Sequence, residues 1–192
     1  MGLSNEILKK PALETKSLKG LNGAGLGMAG TFVLHSRLAT ALCHSIQPDL
    51  DDNDRGYYEA VVEARGKAGA KARIYDVCIK LFYGDIYKDW GRNIVIIEIV
   101  NSGTDNKKAH DRIMETFNDP EESSLCEAFI YDYNSKLWTG YHKTKTGKII
   151  VFDNPDDKET YTCTNFDINL KSKVEQYLLK LQIYGNWEQS RH

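Results

Sequence analysis

Two carboxylates stand out by their surroundings. Glu98 interrupts Asn93-Ile-Val-Ile-Ile-Glu98-Ile-Val100, a run otherwise almost wholly Ile and Val. Such a run reads as a central strand buried on both faces. A carboxylate buried there without a partner costs several kcal/mol, so something must compensate it. Asp76 sits in Arg73-Ile-Tyr-Asp76-Val, at the start of the preceding β-rich segment. Period-two alternation groups Ile94, Ile96, Glu98 and Val100 on one face, and Ile74, Asp76, Cys78, Lys80 and Phe82 on another. If the two strands pair antiparallel in a register centred on the loop Gly84 to Arg92, Asp76 faces Val100 and Glu98 faces Cys78. The two carboxylates are then diagonal neighbours, within ~7–8 Å at the backbone. Carboxylates at that spacing can converge on Mg²⁺ or Mn²⁺, with water and substrate phosphate completing the shell. The structural alternative is an ion pair between Glu98 and Lys80. A slip of one residue would send the two carboxylates to opposite faces.

The elements that must position this pair follow from periodicity and turn chemistry. A first helix is expected over Thr31 to Ile46, with Thr31 as N-cap, ended by Pro48 and the acidic run Asp49 to Asp54. Strands are expected over Tyr57 to Glu63, Ile74 to Tyr83 and Asn93 to Asn101. Ala109, Ile113 and Phe117 then mark an amphipathic helix over Thr104 to Phe117. Three more strands, Leu125 to Tyr133, Leu137 to His142 and Lys148 to Phe152, turn at Asn134-Ser135 and Thr146-Gly147. A closing helix over Asn169 to Tyr184 carries Leu170, Val174, Tyr177, Leu178 and Leu181 on one stripe. The order predicts an α/β or α+β fold, a mixed sheet flanked by helices. Met1 to Gly30 reads as a leader with a Gly-rich end, and residues 31–185 as a single domain.

Other residues exclude other chemistries. Cys43, Cys78, Cys126 and Cys163 are the four cysteines, and their wide separation indicates neither a zinc site nor a disulfide framework. His44, His110 and His142 have no ligand spacing, and His35 reads as packed on the first helix. Gly25-Leu-Gly27-Met-Ala-Gly30 matches GxGxxG, but no strand precedes it, so a dinucleotide site is not supported. With 25 basic and 27 acidic residues the net charge is −2, which gives the whole chain no electrostatic footprint for nucleic acid. The compact basic segment is Arg65, Lys67, Lys71 and Arg73. It could neutralise phosphates, with Tyr57 and Tyr58 near it to stack on bases, or simply keep a hairpin tip soluble. No apolar run is long enough to span a bilayer and Met1 to Lys10 is not built as a signal peptide, so a cytoplasmic protein is expected.

The stretch from Arg73 to Val77 followed by Asn93 to Val100 resembles the PD-(D/E)xK pattern of the restriction-endonuclease-like superfamily. More narrowly, it resembles the Uma-type endonuclease family, in which a helix like His35-Ser-Arg-Leu-Ala-Thr-Ala-Leu42 precedes the strands. Glu98-Ile-Val-Asn-Ser-Gly-Thr104, Glu127-Ala-Phe-Ile-Tyr-Asp132 and Leu137-Trp-Thr-Gly-Tyr141 continue the likeness, which covers His35 to His142. The resemblance implies a metal-dependent nuclease acting on DNA, with Asp76 and Glu98 on Mg²⁺ or Mn²⁺ and an early acidic residue, Glu63, completing the metal site. Many nucleases of this fold act as dimers to cut both strands, so by analogy the resemblance also points to a homodimer. Two positions depart from the pattern. Tyr75 replaces a proline that only shapes the strand. Val100 stands where the lysine of the ExK signature belongs, and valine can neither hold a water nor balance charge. In Uma-type proteins that lysine comes from the following helix, which points to Arg112 and to Lys108 one turn earlier. Arg cannot deprotonate, so Arg112 would stabilise charge without acting as a base. The rival implication is a catalytically degenerate relative that binds nucleic acid or protein.

Overall fold

The computed structural model describes residues 27–51, 57–65, 74–83, 91–101 and 103–189. Two compact units divide the chain, Met1–Leu34 and His35–His192. The first contains, among the described residues, only the opening turns of a helix. The sheet and the other helices belong to the second.

The elements run α1 (Gly27–Asp51), β1 (Tyr57–Arg65), β2 (Ile74–Phe82), β3 (Arg92–Val100), α2 (Gly103–Phe117), β4 (Glu127–Asp132), β5 (Leu137–Lys143), β6 (Ile149–Phe152), β7 (Thr162–Cys163), β8 (Ile168–Asn169) and α3 (Leu170–Gln189). Strands β1 to β6 form one mixed sheet in sequential order, while β7 and β8 form a separate two-stranded hairpin. Pairing is antiparallel everywhere in the large sheet except between β3 and β4, which are parallel. A parallel neighbour needs a crossover, and α2 supplies it. The expected α+β class, a mixed sheet with helices, is the class observed.

Packing explains the sequence of β3. With β2 on one side and β4 on the other, every residue from Val95 to Val100 is buried. Ile96 and Val100 pack with Ala109, Ile113 and Phe117 of α2 and with Ala128 and Ile130 of β4. Spacing of four residues gives α2 one apolar stripe, and that stripe fixes the helix over the face to which Glu98 also belongs.

The first helix differs from expectation at both ends. It begins at Gly27, so Thr31 is inside it and not its N-cap, and it continues through Pro48 to Asp51. Proline removes one helical hydrogen bond but does not forbid the turn that follows. Here Leu50 is 1% exposed, and its burial with Leu38, Leu42 and Ile46 holds the last turn in place. The same helix seals the outer edge of the sheet. The Gln47 side chain accepts from the Ala60 N–H at 2.8 Å and donates to the Tyr58 carbonyl at 3.3 Å, and the Cys43 thiol donates to the Ala60 carbonyl.

A second departure is register. Cys78 lies opposite Ile96 and Val77 opposite Ile97, two residues from the pairing that sets Cys78 opposite Glu98. The offset is already present beside the loop, where Leu81 lies opposite Arg92, three residues from the centred register, and the bulge between Ile79 and Lys80 takes one of the three back. Continued by one residue, the observed register brings Asp76 directly across from Glu98.

Candidate active site

Strands β2 and β3 part company where the two carboxylates lie. The β1–β2 ladder continues to Ile74 and the β3–β4 ladder to Val100, whereas the β2–β3 pairs stop at Val77 and Ile97. Past that point side chains replace backbone pairing. Asp76 Oδ2 accepts the Ile99 N–H at 2.7 Å. The same oxygen lies 3.1 Å from His35 Nε2 on α1. On the α2 side, the Arg112 guanidinium donates to Glu98 Oε2 at 3.1 Å.

The electrostatics are those of two carboxylates competing for positive charge. Glu98 is 2% exposed, and its other oxygen, Oε1, is buried without a hydrogen-bond donor. Burial pushes the Glu98 carboxyl up to about 8, and the charge of Asp76 pushes the same way, against the opposing pull of Arg112 and His35. His35 titrates above the ordinary imidazole range because of its hydrogen bond to Asp76, against the opposing effect of burial. The pair is thus short of positive charge, and either a proton or a cation supplies it. Side-chain exposure of 20% at Asp76 and 29% at His35 gives solvent a way in.

Arg112 is the only partner seen for the Glu98 charge among the described hydrogen bonds, so its loss should matter most when Glu98 is ionised. Arg112→Met is expected to cost about 1 kcal/mol or more at pH 9 and less at pH 6, where Glu98 already carries a proton. Urea unfolding at the two pH values measures the difference; equal losses would sink the assignment.

The sequence-derived candidates divide clearly. Asp76, Glu98 and Arg112 come together. Lys108 does not: it is 71% exposed and lies 3.8 Å from Asp105 on its own helix. Val100, at the ExK position, is 5% exposed and belongs to the core against α2, which is why an apolar residue stands there. Lys80 is buried beside Asn93 on β3, and the ion pair of Glu98 is made with Arg112 instead. The side chains of Glu63 and Arg65 lie outside the described residues, as do Lys67, Lys71 and Arg73 altogether. The backbone of Arg65 itself pairs with Ile74, two residues from Asp76. Among the described residues no group of three or more His, Cys, Asp or Glu is disposed to hold a metal ion.

Sequence reasoning missed His35, although its spacing from Leu38, Leu42 and Ile46 places it at the end of the buried stripe of α1. It also missed a second buried cluster. Glu127 accepts from the Thr164 N–H, the Thr164 hydroxyl and the Cys163 thiol, and lies 3.1 Å from His142 Nδ1. His142 Nε2 is in turn 2.8 Å from the Glu159 carbonyl. Burial opposes ionisation of Glu127, but these donors outweigh it and hold the carboxyl down to about 2. The signal was present: a turn at Asn134-Ser135 sets Glu127 opposite His142, as observed.

No family model matches this chain, and no curated protein matches it. Among solved structures it is similar to the crystal structure of a "putative nuclease belonging to DUF820" from Anabaena variabilis. Identity is 15% over 73% of this chain and 78% of that one, with a TM-score of 0.46.

Proposed function

We propose that the chain is a metal-dependent nuclease of the restriction-endonuclease-like type, hydrolysing phosphodiester bonds in DNA with Mg²⁺ or Mn²⁺ held by Asp76 and Glu98. The observation that carries this reading is a buried Glu98 whose Oε1 has no hydrogen-bond partner, at the fork between β2 and β3 where Asp76 also lies. Mg²⁺ is held by one or two carboxylates with water and substrate phosphate, so two carboxylates fit it without a third protein ligand. Such a cation would polarise the phosphate and make a bound water acidic enough to attack. The protein's own groups have separable tasks. Asp76 is fixed by the Ile99 N–H. Arg112, 45% exposed at the rim, balances charge as it develops on the phosphate. The basic segment that leaves the sheet at Arg65 would track the backbone of the nucleic acid.

One specific observation favours the second reading, a nuclease fold that binds without cutting. The ExK position is filled by core valine, and Lys108, the helix lysine that could replace it, is turned to Asp105. Both readings predict metal uptake. Mn²⁺ titration by calorimetry should show binding to wild type that disappears in Asp76→Asn. Cleavage assays on DNA and RNA then separate enzyme from relic, and absence of binding to wild type would remove both in favour of an interaction module.

A further inference from the structure

We infer that His35 is a positioning residue for the Asp76 carboxylate, completing the metal site from a helix that carries no ligand of its own. The inference rests on the proposed metal site and adds to it a residue from outside the sheet.

The geometry supports a support role over an incidental contact. One oxygen of Asp76, Oδ2, takes two donors, the Ile99 N–H at 2.7 Å and His35 Nε2 at 3.1 Å. Two donors from different elements on one oxygen fix the rotation of the carboxylate and leave Oδ1 for a ligand. The backbone donor alone would leave that rotation free about its single hydrogen bond. The position of His35 is set with equal firmness. Leu38 and Ala39, one turn further along α1, and Leu42, Ile46 and Leu50 beyond them, are all buried. The imidazole therefore projects from an anchored helix toward a strand end that has lost its ladder partner. A neutral imidazole with its proton on Nε2 also donates, more weakly than a charged one, so the role persists in either protonation state. Arg112 is engaged with Glu98, and Lys108 with Asp105.

Carboxylates that ligate metals are themselves held by hydrogen bonds, and loss of such a partner costs ~10–100-fold in metal affinity. Mn²⁺ titration by calorimetry on the full chain reads this directly, with no need for activity. His35→Gln puts an amide N–H close to the place of Nε2, while His35→Asn is one methylene short of it. The expected result is that His35→Gln binds Mn²⁺ within about threefold of wild type, and that His35→Asn and His35→Ala bind ~10–100-fold more weakly. Far-UV circular dichroism of each metal-free variant confirms that it is folded. If His35→Ala does not fold, the Gln and Asn variants decide alone.

Equal affinity in the Gln and Asn variants would overturn the inference while leaving the two-carboxylate site standing. Tighter binding in His35→Asn or His35→Ala than in wild type would overturn it too, since His35 would then be a competitor of the cation. Wild type that takes up no Mn²⁺ would overturn the metal site itself, and the inference with it.

Discussion

Glu98→Gln is expected to abolish metal-dependent cleavage of DNA while leaving the protein folded. The substitution keeps the shape of the side chain and the Oε2 position that accepts from Arg112, but removes the charge that a cation requires. A lost metal interaction withdraws several kcal/mol of charge stabilisation from the transition state. At 1.36 kcal/mol per decade that is a loss of about 10³ in kcat/KM or more. Stability at neutral pH should hardly change, because the Glu98 carboxyl, pushed up to about 8 by burial and by Asp76, is already largely protonated there and resembles an amide. The measurement is cleavage of supercoiled plasmid with Mg²⁺ and with Mn²⁺, beside a thermal melt. Cutting at the wild-type rate would show that the site lies elsewhere. Loss of cutting together with loss of folding would assign Glu98 a structural role only.

The second large effect concerns the buried cluster that binds the region of residues 159–165 to β4 and β5. Glu127 is 2% exposed and is held down to about 2, against an ordinary value of 4.5. A shift of that size corresponds to about 3 kcal/mol of native-state stability. Because the folded value is depressed, that contribution is present above about pH 4.5 and is lost as pH falls toward 2. His142 is shifted the other way: burial opposes its charge, but Glu127 and the Glu159 carbonyl raise it above 6.5. Its contribution is present below pH 6.5 and is lost as pH rises through the folded value. The cluster therefore contributes most between about pH 4.5 and 6.5. Glu127→Gln is expected to lower Tm at pH 6 by roughly 6–12 °C, a difference that narrows toward pH 2. Thermal melts across pH 2 to 9 test this. A constant gap between wild type and variant would mean that the charge of Glu127 is not what the cluster uses.

The order of elements in the large sheet was legible because each strand and helix declares itself locally. Ile94 to Val100 can be little other than a doubly buried strand, and Ala109, Ile113 and Phe117 define one helical face. What local pattern does not carry is the offset between strands. The loop joining β2 and β3 is not centred where its sequence suggests, and the bulge at Ile79 and Lys80 takes back one residue of that offset for the far pairs, so that the register points Asp76 directly at Glu98 and not at its diagonal. Arg112 was reachable from a family likeness, whereas His35 was passed over because a histidine on an apolar stripe reads as core. Glu127 was hidden by its neighbours Ala128 to Tyr131, which make the strand look uniformly apolar. The β7–β8 hairpin, with two residues per strand, is too short to leave a periodic signature. Pro48 shows the reverse case, a strong local stop signal overruled by the burial of Leu50.

The amide of Gln47 bears on how this protein behaves at high concentration. By engaging the Ala60 N–H and the Tyr58 carbonyl it does the work of a neighbouring strand, and Cys43 occupies the Ala60 carbonyl as well. Exposed strand edges are templates for self-association, and side chains that fill the hydrogen-bonding groups of an edge remove the template. The sheet is thus guarded on the β1 side by the helix that also carries His35. At the opposite edge β6 is four residues long, with Ile150 and Val151 exposed. Aggregation by strand addition should accordingly be polar, growing from the β6 side of one molecule. A charged residue in place of Val151 would be the economical remedy for a protein that proves hard to concentrate.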